Sequence, residues 1–450
     1  MKIKLSSITA LAILTTGLTA CGTSGLNNFS TYSPSYLQQA TQFSSYSQPI
    51  ARVNPIGLPK STGEKQATMF SYVAMDDGLS GFGAAFITGL EKAANPNAYY
   101  LAFGDFQGPD NSYLFYIKNA QQINKSPLPM GEELKMISSP RSFLAPDIKE
   151  VNSNDPNVLS QTINWAFSQY QGKFKVFDIL AHGGGYMGIG TDDNQTGQNT
   201  RQIMTVYEFS NGLRQGLKGR KLDVMNMLSC LMGNVEAIYE LRGIADVVIA
   251  SEDSVRATQN TGIDFTAELA RIIAQPNPDA KTIGKQMAIF GDAKNSKSGY
   301  STIAAVDMTR IEYLKSSVNR LSNAILAAFP KFKTNILTAY NNVPELINSS
   351  LTGQRDLWNF CVQLQKINHA PLQQAALEVK QELKMTIIHA RDREGANANG
   401  LSIFMPTLNA DMNLPPDFNM ENSLDRIGYL KTKFAKDTAW DKVIDAIWSK

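Results

Sequence analysis

The chain has 450 residues, with 42 Lys and Arg against 40 Asp and Glu, a formal charge of +2, three cysteines and three histidines. A near-neutral balance without a Lys/Arg run excludes the electrostatic footprint of a nucleic-acid binder or of a basic membrane-surface patch. Three cysteines exclude a disulfide framework, and no histidine pair has the spacing of a metal site.

Met1-Lys-Ile-Lys4, followed by an uncharged run from Leu5 to Ala20, reads as an export signal too short to span a membrane. Its end, Leu18-Thr-Ala-Cys21-Gly22, resembles a bacterial lipoprotein signal. That resemblance implies cleavage before Cys21 and a lipid on Cys21. Gly22 supplies no acidic retention signal, which favours an outer-membrane or cell-surface location. An ordinary secretory signal with an incidental cysteine is the alternative. Gly22 to Ile50 carries no charge and no periodic apolar face, the composition of a flexible tether. The expected organisation is a signal over 1–20, a tether over 21–61 and one domain over 62–450, long enough to bury a large core.

Within that domain Ala67 to Met75 reads as a strand, Asp76-Asp77-Gly78 as a turn and Leu79 to Ala94 as a helix. Strands are expected over Ala98 to Phe103 and Ser112 to Ile117, the second too close for a crossover and so antiparallel. Asp155 caps a helix running to Tyr170, with Pro156 in its first turn. Lys173 to Ala181 is a strand that ends at His182. After the polar stretch Thr191 to Thr200 come a helix from Thr205 to Leu217 and a strand from Leu222 to Leu228, just before Cys230. A helix over Asn234 to Arg242, stopped by Gly243, precedes a buried strand, Ala245 to Ala250, that runs into Ser251-Glu252-Asp253. Helices follow over Ile311 to Phe329, Phe332 to Tyr340 and Leu372 to Leu383. The β-like runs Met385 to His389 and Gly400 to Met405 are expected to return to the sheet. Strands alternating with helices give an α/β layered domain with a mostly parallel sheet and a helix-rich C-terminal part.

His182 precedes Cys230 by 48 positions, and each follows a strand whose carboxyl end is where parallel α/β sheets hold their chemistry. A thiol needs a base, since free cysteine is mostly protonated near neutral pH, and an adjacent imidazole supplies one. Gly183 to Gly185 after the histidine let the backbone approach a substrate, and the N–H groups of Gly183 and Cys230 are candidate oxyanion donors. Gly183-Gly-Gly185-Tyr-Met-Gly188 also fits a dinucleotide fingerprint. That motif needs a helix to open at once, whereas the acidic Gly190-Thr-Asp192-Asp193-Asn follows. No cofactor is expected. Asp192 and Asp193 could touch a calcium ion, although an exposed acidic loop is the commoner explanation of such a pair. Cys361, on an apolar helical face, reads as core, and His369 and His389 as ordinary core or surface residues.

In order along the chain, Phe70 to Leu79, Glu150 to Leu159 with Trp165-Ala166, His182 to Gly185, Cys230 to Gly233 with Glu236, Tyr239 to Arg242, Ala245-Asp246 and Ala250 to Glu252, Gly400 to Phe404, and Phe434 to Asp441 resemble the clostripain-like cysteine peptidases. The resemblance implies a caspase-like α/β/α fold, a Cys230/His182 dyad and Gly183 as an oxyanion donor. It implies a protein or peptide substrate, with a monomer expected. Such enzymes cut after arginine or lysine and commonly carry an aspartate two residues before the nucleophile; this chain has Leu228 there. An apolar side chain cannot pair with a guanidinium. Leu228, Glu252 and Asp253 are the substrate-binding candidates, and Arg201 is a candidate self-cleavage site. The expected function is a lipid-anchored cysteine endopeptidase. The alternative is an inactive relative that serves as a surface binding protein.

Overall fold

The computed structural model describes residues 52–120, 132–190, 203–255, 263–292, 302–344, 346, 353–392, 397–406 and 428–448. Cys21, Asp192, Asp193 and Arg201 lie outside them, and with them the signal, lipid, calcium and self-cleavage expectations.

Nine strands build the central sheet: β1 (Lys65–Met75), β2 (Ala98–Phe106), β3 (Ser112–Tyr116), β4 (Arg141–Phe143), β5 (Gly172–Leu180), β6 (Leu222–Leu228), β7 (Ala245–Ala250), β8 (Thr302–Asp307) and β10 (Ile387–Asp392). Their order is β10-β8-β7-β6-β5-β1-β2-β3-β4. The pairs β2-β1, β1-β5, β5-β6 and β6-β7 are parallel, and antiparallel strands flank this core on both sides. A parallel strand is buried on both faces and reads as a continuous apolar run. In β1, Phe70, Tyr72 and Ala74 join one core layer while Met69, Val73 and Met75 join the other.

Helices cover both faces. On the second face lie α1 (Ser80–Ala93), through Phe86 and Leu90, α5 (Ile263–Ile273), through Leu269 and Ile272, and α6 (Ala280–Asp292), through Ile283 and Met287. The first face holds α2 (Pro156–Gln169), α3 (Val206–Leu217), the short α4 (Val235–Glu240) and α7 (Ile311–Asn341). The same layer takes in α8 (Leu357–Leu364), α9 (Ala370–Thr386), α10 (Lys433–Asp437) and α11 (Trp440–Trp448). The result is the expected layered α/β/α sandwich with a helix-rich C-terminal part. Asp155 caps α2 through Asn157 N–H, and Thr205 caps α3 in a reciprocal box with Glu208.

Two expectations are corrected. The break expected between Phe329 and Phe332 is one helix, α7, bent at Phe332 (φ −118°, ψ 23°) just after Pro330. The proline costs a hydrogen bond and displaces the preceding turn, but the apolar faces on both sides stay packed on the same layer. Of the two late β-like runs, only the first reaches the central sheet, as β10 paired antiparallel with β8. The second, β11 (Ser402–Phe404), pairs with β9 (Gln354–Asp356) in a separate two-stranded sheet.

Candidate active site

The β5–β6 ladder runs in register to Leu180↔Leu228, where both chains leave the sheet side by side. His182 and Cys230 each stand two residues beyond that last pair. The contact between the two departing segments is made by backbone. A Cβ on Gly183 would lie 2.2 Å from the carbonyl oxygen of Cys230 and 3.1 Å from its nitrogen, so only glycine fits. The chain then folds back as a small hairpin. Gly184 N–H donates to Gly188 O (2.9 Å) and Gly190 N–H donates to His182 O (2.8 Å), forming the Gly183↔Ile189 bridge. Gly183's own N–H takes no part in that bridge. A single 3₁₀ turn over Gly185–Met187 follows, so no helix opens behind the glycines as a dinucleotide site requires.

Leu231, directly after Cys230, has φ 63° and is buried. A left-handed leucine costs about 1–2 kcal/mol. The segment after β7 holds it in place. Leu231 N–H donates to Asp253 O (3.0 Å), Gly233 N–H to Ser251 O (2.6 Å) and Val255 N–H to the Cys230 Sγ (3.3 Å). Leu79 and Phe82, at the start of α1, pack against Cys230 and Leu231. Cys230 has no exposed surface, and Cys361 is a free, buried cysteine.

His182 lies 3.1 Å through Nε2 from Asp77 Oδ2, while its Nδ1 is buried without a hydrogen-bond partner among the described residues. Asp77 follows β1, the strand on the other side of β5. Below the site, Ser71, Asp178 and Asn226 stand in register on β1, β5 and β6. Ser71 Oγ donates to Asp178 (3.2 Å), and complete burial pushes the Asp178 carboxyl up to about 7, opposed by its bonds to Asn226 and Ser71. At the same end of the sheet, Asp76, Asp105 and Glu150 offer carboxylate oxygens within 4.8 Å of one another, a group able to hold a cation. Burial, with the Asp76 and Asp110 charges, pushes Glu150 up to about 7.

Against this geometry, the model of the clostripain family matches residues 132–448. The chain belongs to the clostripain family. It is a cysteine peptidase. The fold is similar to the X-ray structure of a secreted C11 cysteine protease from Bacteroides thetaiotaomicron in complex with an irreversible peptide inhibitor. That match has 15% identity and a TM-score of 0.54, and covers 82% of this chain and 98% of that one. It is also similar to an inactive zymogen C11 protease from Parabacteroides distasonis, at 15% identity and a TM-score of 0.55, covering 85% and 99%. Comparison with curated proteins returns no significant match. Among the described residues no helix is long and apolar enough to cross a membrane.

This clostripain-family peptidase sets Gly183, the residue after His182, against the Cys230 backbone. The three substrate-binding candidates are all buried in this structure. Leu228 packs in the second core layer. Glu252 Oε1 accepts from Gly400 N–H, and burial beside Asp356 holds its carboxyl well above the usual range. Asp253 borders Cys230: its backbone oxygen accepts from Leu231 N–H, and its Oδ1 accepts from Ser254 N–H (2.7 Å). As placed, Glu252 and Asp253 anchor the loop around Cys230. Sequence reasoning singled out the acidic turn at Asp76-Asp77 but gave Asp77 no place beside His182. The signal was there, an aspartate just after a strand; the adjacency of β1 to β5 was not.

Proposed function

We propose that the chain is an endopeptidase in which Cys230 is the nucleophile and His182 the general base and acid. The observation that carries this reading is the register of β5 and β6, which sets His182 and Cys230 equally far beyond Leu180↔Leu228 with Gly183 against the Cys230 backbone. With substrate at Cys230, the imidazole takes the thiol proton and the sulfur bonds to the peptide carbonyl carbon. The N–H groups of Gly183 and Cys230 receive the developing oxyanion. The C–N bond breaks as the imidazolium returns its proton to the leaving amine, and water then hydrolyses the thioester. The apolar Leu79 and Phe82 beside Cys230, with Glu252 and Asp253 used internally, support a substrate side chain without positive charge at this wall.

The same reading puts the enzyme outside the cytoplasm, tethered through a lipid on Cys21, with residues 62–450 as the peptidase domain. The Bacteroides thetaiotaomicron protease of similar fold is secreted, which supports only the first part of this. A peptide-library cleavage profile of the reduced domain, with Cys230→Ala as control, tests it. Cleavage should vanish in Cys230→Ala while the melting temperature is kept. Undiminished cleavage by that variant would remove Cys230 from the mechanism. A thiol-reactive peptide probe separates the enzyme from an inactive binding protein: labelling at Cys230 should be lost in His182→Ala.

A further inference from the structure

The ends of three adjacent parallel strands carry Asp77, His182 and Cys230, after β1, β5 and β6 respectively, in the order aspartate, imidazole, thiol across the sheet. Asp77 is 3% exposed and His182 8%, so their contact is shielded from water. The two carboxylate oxygens have different tasks. Oδ1 accepts from Leu79 N–H at 2.7 Å, and Oδ2 lies 3.1 Å from His182 Nε2. A carboxylate has only acceptors to offer, so Nε2 must carry a proton to make that contact. In a neutral ring the lone pair is then on Nδ1, the buried nitrogen without a partner among the described residues.

Resting on the dyad reading above, we propose that Asp77 is a positioning residue for His182: it holds the ring in the Nε2–H tautomer, makes Nδ1 the base that receives the Cys230 proton, and stabilises the imidazolium that results. The Leu79 amide also decides what an asparagine would do at this position. In Asp77→Asn the side-chain oxygen is retained by Leu79 N–H, which needs an acceptor. The new amide NH₂ therefore turns toward Nε2, a nitrogen that must now accept, and the ring proton moves to Nδ1. The substitution keeps the shape and inverts the base. In the serine-peptidase triad the equivalent change costs about 10⁴-fold in turnover through the wrong tautomer.

The test is nitrogen NMR of the ¹⁵N-histidine-labelled protein with turnover measured in parallel under reducing conditions. There are three histidines, so His182→Ala assigns the His182 resonances by difference. Tautomers are read in the Cys230→Ala background at a pH where the ring is neutral. The expected result is an Nε2–H ring with Asp77 present and an Nδ1–H ring with Asp77→Asn. With Cys230 intact, Asp77→Asn should lower kcat about 10³- to 10⁴-fold with KM changed far less. Asp77→Ala should give mixed tautomers and an intermediate loss. An Nδ1–H ring with Asp77 present overturns the proposal without any Asp77 variant having to fold. Full kcat in Asp77→Asn, with Cys230→Ala and His182→Ala inactive, also overturns it and leaves the dyad standing. Activity surviving in Cys230→Ala or His182→Ala refutes the dyad itself.

Discussion

Gly183→Ala is the sharpest mechanical test of the site, because the obstruction is backbone and cannot rotate away. The added methyl would lie 2.2 Å from Cys230 O, against 3.4 Å or more for ordinary contact, and 3.1 Å from both Cys230 N and Met232 Cγ. The segments that carry His182 and Cys230 must therefore part by about 1 Å. Overpacking of this kind costs about 1–3 kcal/mol of stability. A misplacement of about 1 Å at reacting groups costs about 100-fold in rate, or about 2.7 kcal/mol of barrier. Gly184→Ala is the built-in comparison. Its φ is −126°, and its methyl would first meet the flexible end of Met187, at 3.3 Å. Turnover of a fluorogenic peptide and melting temperatures should show Gly183→Ala about 100-fold slower and measurably less stable, with Gly184→Ala close to the parent. Equal behaviour of the two variants, or full activity in Gly183→Ala, would refute the view that backbone contact aligns the site.

The buried Asp178 links stability to pH. Its folded carboxyl is raised to about 7 from 3.8, so its contribution is fully present below about pH 4 and is lost as pH rises toward 7. Asp178→Asn, neutral throughout, should gain stability relative to the parent as pH rises from 5 to 8; parallel melting curves across that range would contradict the assignment. Burial pushes the Cys361 thiol well above its ordinary pKa. A thiol-reactive peptide should therefore spare Cys361 in the native, reduced protein, and labelling there at the Cys230 rate would contradict its place in the core.

Local signals carried much of the architecture. β6 and β7 begin and end where their apolar runs do, and Asp155, Thr205 and Asn234 cap helices as their side chains predict. His182 and Cys230 stood out because each follows a buried strand and sits beside glycine or a tight turn. β8, α5 and α6 went unassigned in the sequence, and β11 was given to the wrong sheet, since an apolar run does not name its partner. The sequence by itself determined most of the parallel strands, several caps, the two reactive side chains and the family resemblance, all properties of near neighbours along the chain. Tertiary structure alone decided that β1 lies beside β5, so that Asp77 meets His182 105 positions later. It also decided that Glu252 is used by Gly400, 148 positions away, and is not left facing a substrate. Such contacts follow from strand order and the burial of polar groups that must find partners, and those are set by the whole packed core.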